Sequence, residues 1–111
     1  MDRKNKLFND IVTSIDNIER FLGSINLFEE YAVDLKTKSA IERQLGIVGE
    51  AIKRIKEIDP EELFNYQKDI IGFRNILVHN YDAIDDAIVW SIIKEHLVNL
   101  KTEVLSKLEI E

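Results

Sequence analysis

Cysteine is absent, proline occurs once and glycine four times in 111 residues. Without cysteine, disulfides and thiolate chemistry are excluded, and a reducing cytoplasmic setting is the expectation. So few chain breakers favour long helices over a many-turned β fold. No apolar run approaches the roughly 20 residues that span a bilayer, so no membrane association is expected. The N-terminus, Met1-Asp2-Arg3-Lys4-Asn5-Lys6, leads into an amphipathic pattern, so no signal peptide is expected. Basic residues are also outnumbered, 15 against 21 acidic ones, for a formal charge of −6. That argues against sequence-independent binding along a long nucleic acid, which needs phosphate neutralisation, but it permits a small local basic site. There is no glycine-rich phosphate loop, nucleophile elbow or zinc signature, so neither a cofactor nor a metal is expected.

What is present is a globular mixture, 45% apolar and 32% charged, which separates the chain from disordered sequences. Its length suits one domain over residues 1–111. Apolar residues recur at three- and four-residue spacing in Leu7, Phe8, Ile11, Val12, Ile15, Ile18, Phe21 and Leu22, predicting a first helix over 7–22 that Gly23-Ser24 ends. Asn26-Leu27-Phe28-Glu29 has the form of a helix cap with a carboxylate three residues on, leading into a short turn through Tyr31 and Val33. Ile41, Leu45, Val48, Ile52, Ile55 and Ile58 predict a long helix from about Asp34 or Lys36 to Ile58. Gly46 and Gly49 lie inside it, each costing about 1 kcal/mol against alanine, and suggest close approach of a neighbouring helix. Asp59-Pro60-Glu61-Glu62 reads as a helix start, with Asp59 as the cap, Pro60 at the first helical position and Glu62 able to close a capping box, predicting a short helix at 60–65 and a third main helix at about 67–79. Asp82 or Asp85 then caps a last helix to about Leu108. The sum is an all-α, up-and-down four-helix bundle with short extra helices.

The chemistry concentrates in Arg74-Asn75-Ile76-Leu77-Val78-His79-Asn80-Tyr81. Arginine presents a rigid fork of donors that matches phosphate oxygens. Histidine moves protons near neutral pH. Together they suggest metal-free phosphodiester chemistry. In an ideal helix, however, Arg74 and His79 lie about 140° apart around the axis and about 7.5 Å apart along it. Either the arginine reaches around a helix that ends near Val78, or the site is assembled across a two-fold axis, where two chains supply two histidines and two arginines. Asn75 shares a face with His79 and could orient it. Glu50, near the two glycines, is a candidate internal partner for Arg74. The competing reading is a satisfied polar pair, with Glu50 or Asp82 as partner, and spacing alone does not choose.

Other residues read more simply. His96 is expected in solvent. Asp82, Asp85 and Asp86 lack a metal-ligand ladder and suit helix capping. Trp90 is expected in the core or at an interface. Lys53, Arg54 and Lys56 read as a solvated face.

The segment from Arg74 to Tyr81 resembles the Arg-x4-His-x-Tyr motif of HEPN-domain toxins from HEPN/MNT toxin–antitoxin systems, the HepT-like or DUF86 family. Leu45-Gly46-Ile47-Val48-Gly49-Glu50-Ala51 is similar to the family's segment ending in Gly-Glu-Ala, and Phe73-Arg74-Asn75 with Asp82 to Trp90 is similar to its later run. Many relatives carry a tryptophan shortly before the third helix, where this chain has Phe64 and Tyr66, a change that concerns packing. The resemblance implies a homodimeric HEPN bundle and a metal-independent endoribonuclease, with Arg74 and His79 of both protomers lining a cleft. It also implies a nucleotidyltransferase antitoxin that transfers AMP to Tyr81. An interaction module without catalysis, docking on such a nucleotidyltransferase, is the alternative.

Overall fold

The computed structural model describes residues 2–65, 70, 72 and 84–110. The described residues form helices and connections and contain no strand. In chain order the elements are α1 (Arg3–Leu22), α2 (Phe28–Ala32), α3 (Leu35–Ile58), α4 (Asp86–Ser91), a π-helical turn (Ile92–His96) and α5 (Leu97–Ile110). Of the expected third main helix, Ile70 and Gly72 are helical and Ile70 is buried; its other residues lie outside the described ones.

Helix α1 starts four residues earlier than its apolar stripe suggests. Asp2 caps it, its carboxylate accepting from the Asn5 N–H at 2.7 Å. The helix buries Phe8, Ile11, Ser14, Ile15 and Ile18, while Phe21 stays exposed, so the buried stripe is shorter than the sequence pattern. Gly23 ends the helix at φ +55°, a backbone region that favours glycine, and its N–H donates to the Glu19 carbonyl. The expected cap at Asn26 is displaced by one residue. Leu27 is the cap, and Glu30, not Glu29, reaches back to accept from the Leu27 and Asn26 N–H groups. Glu30 is three residues beyond the true cap, which is the reach that this contact needs.

Helix α3 begins as expected. Asp34 accepts from the Thr37 N–H at 3.1 Å and from its hydroxyl at 2.8 Å. Those bonds hold the Asp34 carboxyl below its ordinary range. Ile41, Leu45, Val48, Ala51, Ile52 and Ile55 are buried along one side. Helix α1 packs chiefly against α3, and next against α5. Lys4 meets Asp59 and Asn17 meets Gln44, so α1 and α3 run antiparallel. Lys101 meets Asp16 while Lys107 and Lys4 share Glu62, so α5 also runs antiparallel to α1. This is the expected all-α arrangement.

Two expectations require correction. Residues 60–65 are not helical. Asp59 accepts from the Glu61 N–H, as a cap would, but Lys56 takes the Pro60 and Glu62 carbonyls, which leaves the segment as an open turn. Glu62 does not close a capping box. It is clamped between Lys4 (2.9 Å) and Lys107 (2.8 Å), from opposite ends of the chain. Those lysines lie over Phe8 and Phe64, which meet edge to face with centroids 6.2 Å apart. Phe64 is buried, so the position fills a packing role. The second correction concerns the last helix, which is not uniformly α-helical. Ile92, Ile93 and Leu97 are all buried, and a spacing of five from Ile92 to Leu97 exceeds the α-helical repeat. The π turn absorbs the extra residue, with the Leu97 N–H donating to the Ile92 carbonyl. Val89 consequently faces the core and Ile88 does not. Asp85, as expected, caps the helix through the Ala87 N–H.

Burial alone would raise the Glu62 carboxyl, but hydrogen bonds from Lys107 and Lys4 outweigh it and hold the group below its ordinary range. A carboxyl with a depressed folded-state pKa stabilises the protein above its ordinary value and loses that contribution as pH falls through the folded value. Glu62→Gln should therefore cost about 1.5–3 kcal/mol in urea unfolding at neutral pH, with the gap to the parent closing in acid. An equal gap in acid would contradict the clamp.

Candidate functional site

Of the expected site residues, Arg74, Asn75, His79 and Tyr81 lie outside the described residues, as does Asp82. Glu50 is described, and its surroundings form a groove of about 420 Å³ between α1 and α3. Leu7 and Asp10 line it from α1, and Arg43, Gly46, Ile47, Glu50, Ala51 and Arg54 line it from α3. The α3 contributors follow from helix periodicity. Positions 43, 47, 50 and 54 share one face, turned away from the stripe that buries Ile41, Leu45, Val48, Ile52 and Ile55. Glu50 accepts from the Arg54 Nε at 3.2 Å, and its other oxygen, Oε2, is enclosed by protein. Asp10 is held by Lys6 at 3.1 Å. Gly49 is buried on the same stretch of α3, where a side chain would need space.

The lysine and arginine cluster on α3 divides. Lys53 and Arg54 are exposed, as a solvated face would be. Lys56 is half-buried and holds the turn after α3, which the sequence does not reveal because its acceptors are backbone carbonyls. His96, expected in solvent, is half-buried, with Nδ1 enclosed, at the end of the π turn. Trp90 packs against the core as expected, between Phe28 and Tyr31, with the Lys94 ammonium 4.8 Å from its ring centre. Among the described residues no group of His, Cys, Asp or Glu is arranged to hold a metal. No helix among them is long and apolar enough to cross a membrane.

A second polar cluster lies where α2, α3 and α4 meet, and it escaped the sequence reading. Tyr31 is fully buried, and its hydroxyl has no hydrogen-bond partner among the described residues. Burial, then the negative charges of Glu42 and Asp86, push its phenol above the ordinary range. Glu42 is buried on α3, and burial followed by repulsion from Asp86 raises its carboxyl. Lys38 compensates in part by pairing with Asp86 at 2.8 Å. A glutamate inside an apolar stripe is the only trace of this cluster in the sequence.

A family model described as "Ribonuclease HepT-like" matches residues 11–106. The chain belongs to the HepT-like ribonuclease family. Among its relatives is a Methanocaldococcus jannaschii protein named "Putative RNase MJ1380", 34% identical over 96 residues, covering 86% of this chain and 87% of that one. Another, from Thermococcus cleftensis, is named "Probable ribonuclease HepT" and is 35% identical over 106 residues, covering 91% and 93% of the two chains. A third, from Caldanaerobacter subterraneus, is named "Putative RNase TTE0752" and is 33% identical over 95 residues, covering 85% and 83%. No solved structure matches the chain. The HepT-like family match spans the α3 wall of the groove and the Arg74–Tyr81 motif.

Proposed function

We propose that the protein is a metal-independent endoribonuclease whose cleaving groups are Arg74 and His79. The observation that carries this reading is the HepT-like ribonuclease match over residues 11–106, with the whole Arg74–Tyr81 motif inside it. In the proposed reaction His79 removes the proton from a ribose 2′-OH. The 2′ oxygen then bonds to the adjacent phosphorus, and the bond from phosphorus to the 5′ oxygen breaks. An imidazolium, His79 of the partner subunit, returns a proton to that leaving oxygen. Arg74 stabilises the charge that gathers on the phosphoryl oxygens. One chain offers one such histidine in the motif, so the active form is a homodimer with the two motifs facing across its axis. Asn75 orients His79. Glu50, with Oε2 turned into the protein beside Gly49, is suited to hold the Arg74 guanidinium.

On the same reading the protein is the toxin of a HEPN/MNT-type pair, similar to a type VII system. The partner is a nucleotidyltransferase antitoxin acting on Tyr81. The Tyr81 phenol oxygen attacks the α-phosphorus of ATP, and pyrophosphate leaves. The resulting AMP places a charged, bulky phosphodiester two residues from His79, which opposes RNA by volume and by charge.

Purified protein should cleave RNA in the presence of EDTA, and His79→Ala and Arg74→Ala should each reduce the rate by at least about 100-fold while retaining the parent's circular dichroism spectrum. Undiminished cleavage by either variant would refute the assignment. Tight complex formation with a nucleotidyltransferase and no RNA turnover would instead favour a non-catalytic partner subunit. Incubation with the cognate nucleotidyltransferase and ATP should add the mass of one AMP, localised to Tyr81 by peptide mass spectrometry. Equal modification of Tyr81→Phe would place the acceptor elsewhere.

A further inference from the structure

We propose that the α1–α3 groove is a subsite for the RNA phosphate backbone, gripped by Arg43 and Arg54. This deepens the ribonuclease reading and rests on it. A chain with a net charge of −6 must concentrate positive potential somewhere to hold a polyanion. Most cations near acidic residues are already engaged. Lys4 and Lys107 clamp Glu62, Lys38 holds Asp86, and Lys101 holds Asp16. Arg43 is different. It is exposed at the mouth of the groove and makes no hydrogen bond or ion pair among the described residues.

Arg54 lies eleven residues further along α3, about 16 Å along the axis and about 20° around it. The two guanidinium groups therefore stand on one helix face, at the two ends of the same groove. Arg54 engages Glu50 through Nε, which leaves the terminal nitrogens of its fork for a phosphate. Of the two carboxylates that line the groove, Asp10 is paired with Lys6 and Glu50 with Arg54, so Arg43 carries the net positive charge there while Arg54 contributes hydrogen-bond donors. Neither carboxylate then repels an incoming phosphate at full strength. Between the arginines the floor is Gly46, Ile47 and Ala51, small or apolar, with Leu7 opposite. Ile47 remains 37% exposed, an apolar surface on which a ribose or base edge could rest. Cations at the ends and apolar surface between them suit a nucleic-acid strand lying along α3.

The test is fluorescence anisotropy with a 5′-labelled single-stranded RNA oligonucleotide, using His79→Ala as the parent so that the probe is not consumed. Arg43→Gln and Arg54→Gln should each weaken binding about tenfold. Each should also flatten the plot of log affinity against log salt by about 0.7. Arg43→Lys should keep most of the salt slope, and Lys94→Gln, an exposed cation on the π turn, should bind as the parent does. Glutamine variants with the parent's affinity and slope would overturn the subsite. So would a loss of affinity that sedimentation traces to separating subunits, which would make the groove an interface between copies. The outcomes separate from those of the cleavage reading. Weakened binding by the glutamine variants of a protein that never cleaves RNA would support the subsite and remove the nuclease. Normal binding by variants of a protein that does cleave would do the reverse.

Discussion

The packing of α1 against α3 is the constraint on which the remaining structure depends. Phe8, Ile11, Ile15 and Ile18 from one helix and Leu45, Val48, Ile52 and Ile55 from the other are removed from water along antiparallel axes. Apolar burial contributes roughly 25 cal/mol per Å², so two stripes of this length outweigh any single polar contact in the molecule. Once these faces are paired, every other face of α3 has an assigned direction. Arg43, Ile47, Glu50 and Arg54 are turned to the groove, and Glu42 is carried inward beside Tyr31 and Asp86. The C-terminal helix closes on α1, and its π turn allows both Ile92 and Ile93 to reach the core.

Charge is organised around that core in two ways. At one end, Glu62 joins the first turn of α1, the turn after α3 and the last turns of α5, with the lysines lying over Phe8 and Phe64. The chain's opposite ends are thereby tied next to the segment that leads toward the Arg74–Tyr81 motif. On the groove face of α3 the pair is short-range, Arg54 with Glu50, and it leaves Arg43 uncompensated. An acidic protein can in this way keep a local cationic stripe without becoming basic overall. On the proposed reading, that stripe is what reconciles a net charge of −6 with an RNA substrate.

Much of this was legible in the sequence, for physical reasons that differ from element to element. The bounds of α3 followed from Asp34 and from a stripe with helical period, because a strong cap and a long buried face act together. Asp85 was one of two acidic residues offered as the cap of the last helix, and it fills that role. The capping signal at Asp59-Pro60 misled because the carboxylate meant to close it, Glu62, is drawn away by Lys4, 58 positions earlier in the chain, and by Lys107, 45 positions later. Such long-range competition leaves no local signature. The π turn was hidden for a related reason, since period-counting assumes one repeat throughout a helix. Within the candidate site, Glu50 was singled out beside its glycines, whereas the groove that Arg43 and Arg54 flank appears only when α1 supplies the opposite wall. The HepT-like membership rests on residues spread from 11 to 106, and the motif alone is a small part of them.

On the proposed reading, Arg74 and His79 cleave RNA by activating the substrate's own 2′-OH. The most direct test is the chemistry of the ends produced in EDTA, with a matched oligonucleotide carrying a single 2′-deoxy substitution at the cleaved position. A 2′,3′-cyclic phosphate on one fragment, a 5′-hydroxyl on the other, and no cleavage of the deoxy substrate are expected. Cleavage of the deoxy substrate at the same rate, or fragments bearing a 5′-phosphate, would contradict that reading.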